Sequence, residues 1–128
     1  MPTITEDYVS FETAKMLKEK GFDEKCFQYW HEEDKELIHS QSMHPLQNIS
    51  NPCFFGPSAP TLQMAMKWLR EVHNIFISIT YENDGVFTAN LKAPLKGVDC
   101  MIDNKHNCWL TYEQAAEAGI KYCLENLI

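Results

Sequence analysis

The stretch "CMIDNKHNC" sets two thiols, Cys100 and Cys108, close to one imidazole, His106. Two thiolates and a neutral imidazole suit a tetrahedral zinc ion. The spacing follows no recurrent zinc motif, and a fourth ligand would have to come from Asp99, Asp103 or farther away. Two half-buried thiols and a surface histidine need fewer coincidences. No metal ligand is assigned on this pattern, and no cofactor is expected.

Nucleophilic catalysis requires a thiolate or hydroxyl with a base held beside it. The chain has five cysteines (Cys26, Cys53, Cys100, Cys108, Cys123) and five histidines. It has no Gly-x-Ser-x-Gly elbow and no family-specific cysteine signature. "HEEDKE", residues 31–36, gathers four carboxylates around His31 and Lys35. Paired carboxylates can move protons or hold a cation, but adjacent acids in an exposed turn face water and repel one another. His73, at the end of an amphipathic segment, reads as a donor to the last helical carbonyls. The glycines are scattered, with neither a GxxxxGK[ST] nor a GxGxxG loop to cradle phosphate. No catalytic residue is assigned.

Binding has better candidates. "NPCFFGPS" places Phe54 and Phe55 side by side in a Pro/Gly-rich segment, and Trp109 closes another irregular one. Such rings either tuck beneath a core or anchor a partner. Phe54, Phe55 and Trp109 are therefore the candidate binding residues. They lie in two long connections, 40–58 and 93–109, which also carry Met101 and Ile102. Long connections in compact proteins are often functional.

The elements that position these residues follow from local chemistry. Ser10 is suited to cap a helix whose stripe is Phe11, Ala14 and Leu17. Gly21 ends it, with Phe22 folding back. Cys26–His31 and Leu37–His39 read as a hairpin around the charged turn. Pro60 fits the first turn of a second helix, whose stripe is Leu62, Ala65, Met66, Leu69 and Val72, flanked by Met64 and Trp68. "KWLREVH" carries only Lys67 and Arg70 as basic residues, so it packs rather than reads a groove. Asn74 can go left-handed at the helix end. The period then changes from about 3.6 to 2, and Ile75 to Tyr81 becomes a strand.

"NDG" turns the chain into a partner strand, Val86–Leu91. A three-residue loop with left-handed Gly85 places Tyr81 opposite Phe87, Ile79 opposite Ala89 and Ile77 opposite Leu91. "TYEQ" starts the last helix with Thr111 as cap and Gln114 in a capping box. Its apolar face is Tyr112, Ala116, Ile120, Cys123, Leu124 and Leu127. Ala115, Ala116, Ala118 and Gly119 let it lie close to a sheet. The expected fold is α+β, one domain over residues 1–128, with helices packed on an antiparallel sheet in the order α-β-β-α-β-β-α.

Composition narrows the classes. The 128 residues are 45% hydrophobic and 23% charged, which suits a globular protein. A net charge of −7 disfavours nucleic acid, because phosphate neutralisation needs clustered Lys and Arg. Lys15, Lys18 and Lys20 alternate with Glu12 and Glu19, as on a solvated helix face. No secretory signal and no membrane-length apolar run is read, so reduced thiols in the cytoplasm are expected.

"YVSFETAKMLKEKGFDEKCF", "APTLQMAMKWLREVHNI" and "TYEQAAEAGIKYCLENLI" make up roughly half of the chain. Together they resemble an uncharacterised family of small proteins encoded in prophage-like and mobile regions of gut anaerobes. The resemblance implies a phage or mobile-element setting and a bacterial cytoplasm; it implies no activity and no site residue.

Three function classes are ordered accordingly. An interaction or regulatory module, binding a protein partner or a second copy of itself, comes first. A nucleic-acid-associated protein is second, and an enzyme with a site assembled from scattered residues is third. From the ligand spacing, the purified protein is expected to carry no stoichiometric zinc and to melt at the same temperature with and without chelator. A large downward shift on chelation would mark a structural metal.

Overall fold

The computed structural model describes residues 4–39, 56–102 and 108–128. The fold is α+β: the described residues form three helices and five antiparallel strands in two small sheets. The chain divides into two compact units, Met1–Thr61 and Leu62–Ile128.

The first unit contains helix α1 (Phe11–Glu19) and strands β1 (Gln28–Trp30) and β2 (Leu37–His39). Ser10 caps α1, its hydroxyl accepting from the Thr13 amide at 3.2 Å. The helix ends in a paired closure: Phe22 N–H donates to the Leu17 carbonyl at 2.9 Å, and Gly21 N–H to Lys18 at 3.2 Å. That geometry returns Phe22 to the core, where it is buried with Leu17, Ala14 and Val9. Strands β1 and β2 pair antiparallel, Trp30 opposite Leu37 and Gln28 opposite His39. Their connection contains no glycine, so Lys35 takes the left-handed conformation itself, with φ 53°. The acids of this connection, Glu32, Glu33, Asp34 and Glu36, are all exposed, as a solvated turn requires.

Residues 57–61 stitch this unit together. Trp30 N–H donates to Pro57 and Ala59 N–H to Gln28, both at 2.9 Å, while Val9 N–H donates to Pro60 at 3.1 Å. The Trp30 indole donates to the Val9 carbonyl at 3.0 Å. Gly56 runs so close to β1 that an added Cβ would collide with the Trp30 carbonyl oxygen. Pro60 and Thr61 are thus engaged with Val9 and Tyr8, and the second helix starts after them instead of at Pro60.

The second unit contains helices α2 (Leu62–His73) and α3 (Tyr112–Asn126) with strands β3 (Phe76–Tyr81), β4 (Phe87–Ala93) and β5 (Val98–Met101). The sheet order is β3-β4-β5, and α3 packs on β3 and β4 while α2 packs on α3 and β3. The β3–β4 register is Tyr81 opposite Phe87, Ile79 opposite Ala89 and Ile77 opposite Leu91, as the three-residue loop predicts. Gly85 is left-handed, φ 80°, and its N–H closes the turn onto Glu82 at 3.2 Å. Thr111 caps α3, accepting from Gln114 N–H at 3.1 Å; the Gln114 side-chain Oε1 reaches past the cap and accepts from Leu110 N–H at 3.2 Å. At Gly119 the helix nearly touches the sheet: an added Cβ would lie 3.1 Å from an Ile77 methyl.

Two expectations need revision. Residues 93–109 are not irregular throughout, since they contain a 3-10 turn (Pro94–Lys96) and β5, so the order gains a strand. The open edge of β4 recruits β5 through pairing that no local pattern announces. Val72 does not belong to the buried stripe of α2, being 58% exposed. Ile75 folds back instead, its N–H on the Leu69 carbonyl at 3.0 Å, and with Trp68 takes up the burial at that end.

Gly56 and Gly85 make a paired test. Gly85→Ala meets open space and should cost about 1 kcal/mol, the strain of a left-handed alanine. Gly56→Ala adds a collision with the backbone of β1 and should cost at least about 3 kcal/mol. Urea unfolding of both variants checks the order; equal losses would refute the close approach at Gly56.

Candidate interaction surface

Trp109 follows the segment 103–107, which lies outside the described residues. It is fixed by a two-way backbone exchange: Phe87 N–H donates to Trp109, and Trp109 N–H to Phe87, each at 2.7 Å. Since Phe87 is also paired with Tyr81, the three residues stand in one row across the hairpin end of the sheet. Directly opposed residues share a face. The Tyr81 and Phe87 rings meet edge-on at 5.4 Å between centroids, and Phe87 meets Tyr112 edge-on at 6.3 Å. The Tyr112 hydroxyl in turn accepts from the Gln63 amide at 3.2 Å. Rings locked this way lose little entropy when a partner covers them.

This cluster is open to solvent. Tyr81 is 62% exposed and Leu110 is 75% exposed, while Phe87, Trp109 and Tyr112 are half-buried. Exposed acidic residues, Glu82, Asp84 and Glu113, follow Tyr81 and Tyr112 closely in sequence. Glu82 accepts from the Thr88 hydroxyl at 3.3 Å, on the face of the hairpin opposite Tyr81 and Phe87. A solvent-open cluster of aromatic side chains has the composition of a protein-binding patch.

Of the candidate binding residues, Trp109 therefore sits in an aromatic surface. Phe54 and Phe55 lie outside the described residues. Tyr81, Phe87 and Tyr112 were not singled out as binding residues, although the hairpin register already set Tyr81 against Phe87. The link to Tyr112 depends on where α3 docks, which no local pattern encodes.

The other candidate groups are dispersed. Cys100 lies on β5 opposite Leu91, and Cys108 is half-buried just before Trp109. His106 and Asp103 lie outside the described residues, among which no three His, Cys, Asp or Glu side chains come together as a metal site. His31 Nδ1 lies 3.4 Å from the Asp34 carboxylate, at the start of the exposed turn. His73 does not act as a charged cap. Its ring meets Trp68 edge-on at 4.6 Å, and its buried Nε2 has no hydrogen-bond partner among the described residues. Burial, with help from the Lys96 charge, holds its pKa below the usual 6.5.

Cys26 and Cys123 are packing residues. Burial pushes the Cys26 thiol up from 9.0 to about 11, against a lowering hydrogen bond with Ser58 and with a further push from Glu24. Burial pushes Cys123 to about 12, with Cys100 adding to the shift. Both are protonated at neutral pH and poorly nucleophilic. Because both folded values lie above the unfolded one, the stability these thiols contribute is complete below pH 9 and declines as pH rises towards 11 and 12. His73 has the opposite sign, contributing above pH 6.5 and losing stability as pH falls below it. Native-state alkylation at neutral pH should therefore spare Cys26 and Cys123 until the protein is unfolded. Rapid labelling of either would contradict their burial. Comparison of the chain with family models, with curated proteins and with solved structures finds no match.

Proposed function

We propose that this chain is a non-catalytic interaction module of a phage or mobile element, acting in the bacterial cytoplasm, which holds a protein partner through the surface around Trp109. The observation that carries this reading is the row Tyr81–Phe87–Trp109, with Tyr112 edge-on to it and Leu110 exposed beside it. Aromatic side chains supply most of the affinity in protein interfaces when they occupy the centre of a patch. The net charge of −7 favours a protein over nucleic acid as partner. The resemblance to mobile-element proteins supports the setting, and none of the described helices is long and apolar enough to cross a membrane.

Capture from a bacterial lysate on the immobilised chain tests the reading. Leu110→Ser and Trp109→Ala should each weaken retention of the captured protein roughly thirtyfold, the effect of losing about 2 kcal/mol at an interface centre. Leu110→Ser, at a solvent-exposed position, should leave cooperative melting intact. The double variant Phe54→Ser/Phe55→Ser, run in parallel, asks whether those rings belong to the same surface. Unchanged retention by Leu110→Ser and Trp109→Ala would overturn the assignment of the surface.

A further inference from the structure

The outer edge of β3, which lends the side chain of Tyr81 to the aromatic surface, carries a backbone arrangement that this surface does not use. Glu82 N–H donates to the Val86 carbonyl at 2.8 Å, in register with the β3–β4 ladder. Antiparallel ladders alternate bonded and non-bonded pairs, so Phe76, Ser78 and Thr80 point their backbone groups at β4. Ile77, Ile79 and Tyr81 point theirs away. The partner strand agrees: Phe87 and Ala89, opposite Tyr81 and Ile79, turn their backbone groups to Trp109 and Ile102. Three N–H and three C=O groups along β3 thus have no hydrogen bond to any described residue.

Natural edges are usually blunted by charge, proline, a bulge or shortness. β3 has none of these. It is six residues long, "FISITY", uncharged and continuous in register, in a chain that is 23% charged. The opposite edge, β5, has four residues and includes Asp99. From Ile77 to Tyr81 the side-chain order is matched about Ile79, Ser78 with Thr80 and Ile77 with Tyr81.

We infer that β3 pairs antiparallel with β3 of a second copy of this chain, about a twofold axis at Ile79, joining two three-stranded sheets into one. In that register Ile79 faces its own counterpart, Ile77 faces Tyr81, and Ser78 faces Thr80. All six outward backbone groups of each strand are satisfied. A shift of one residue puts bonding groups against non-bonding positions, and a shift of two leaves outward groups of Ile77 without a partner inside the strand. Ile77, Ile79 and Tyr81 meet on one face; on the other, Ser78 meets Thr80 and Phe76 lies opposite Glu82 at the ends. No like charges oppose each other within the strand, although each chain carries −7. The twofold operation uses the same edge on both copies, so the contact closes as a dimer and does not propagate. Tyr81 is common to both surfaces, but Trp109 and Leu110 lie outside the paired strands and Ser78 and Thr80 lie outside the aromatic row, so variants at those positions separate the two associations.

The test uses the full chain. Light scattering across a dilution series should give twice 14.9 kDa at high concentration. Hydrogen exchange should show the amides of Ile77, Ile79 and Tyr81 protected in the dimer and fast after dilution to monomer. Ser78→Lys/Thr80→Lys alters two exposed positions and sets lysine against lysine twice across the axis, so dimer should be lost where the wild type is fully dimeric. Ser78→Lys/Thr80→Glu sets opposite charges across the same pairs and should restore it. Leu110→Ser should dimerise normally, and Ser78→Lys/Thr80→Lys should still retain the lysate partner, which keeps the two surfaces distinguishable. Monomer mass at every concentration would overturn the inference. So would unprotected odd-numbered amides in a dimer, growth beyond dimer, or a dimer indifferent to the paired lysines.

Discussion

Everything in the second unit follows from where Gly85 turns the chain. A left-handed residue at that point, φ 80°, adds one residue to the loop and so decides which side chains of β3 and β4 share a face. With it, Ile77 and Ile79 fall on the same side as Ala89 and Leu91, and α3 has an apolar floor to pack on. One residue fewer would turn β4 over and offer the helix Thr88 and Asn90 instead. The same register carries Phe87 to Tyr81 on one side and to Trp109 on the other. The core and the aromatic surface are thus two results of one turn.

The first unit solves a different problem. Its two strands have three residues each, too few to form a stable sheet alone. Stability comes from threading residues 57–61 between β1 and the chain around Val9, with Trp30 as the common partner. Its backbone N–H meets Pro57, its indole N–H meets Val9, and its ring lies edge-on to Phe11 at 6.3 Å. Phe11 in turn has the ammonium groups of Lys15 and Lys35 over its ring, at 5.5 and 5.6 Å. Lys35 can reach there because its own backbone takes the left-handed turn.

Features that depend on a few neighbouring residues were legible in the sequence. The Ser10 and Thr111 caps, the Gly21–Phe22 closure and the hairpin register are each decided within a handful of positions, where backbone geometry and side-chain chemistry leave little choice. Features that depend on distant chain were not. Four residues of β5 show no period that separates them from a loop; they form a strand because β4 offers an edge. Pro60 looks like a helix start until its carbonyl is claimed by Val9. Val72 has the right spacing for the core, but Ile75 is buried at that end. The candidate surface divides in the same way. Trp109 was recognisable as a large ring in an irregular segment, whereas its association with Tyr112 required the docking of α3.

The close approach at Gly119 has a thermodynamic consequence for that helix. Glycine within a helix costs about 1 kcal/mol relative to alanine, because the unfolded backbone has more freedom to lose. α3 therefore gives up intrinsic helicity in order to bring its backbone within reach of Ile77 and Ala89. What it loses as an isolated segment it recovers only as dispersion and burial against the sheet. The helix and the hairpin are consequently bound into one cooperative transition. A perturbation that loosens the β3–β4 pair removes the surface on which α3 depends, and the aromatic row would disperse with it before any of its own residues had changed.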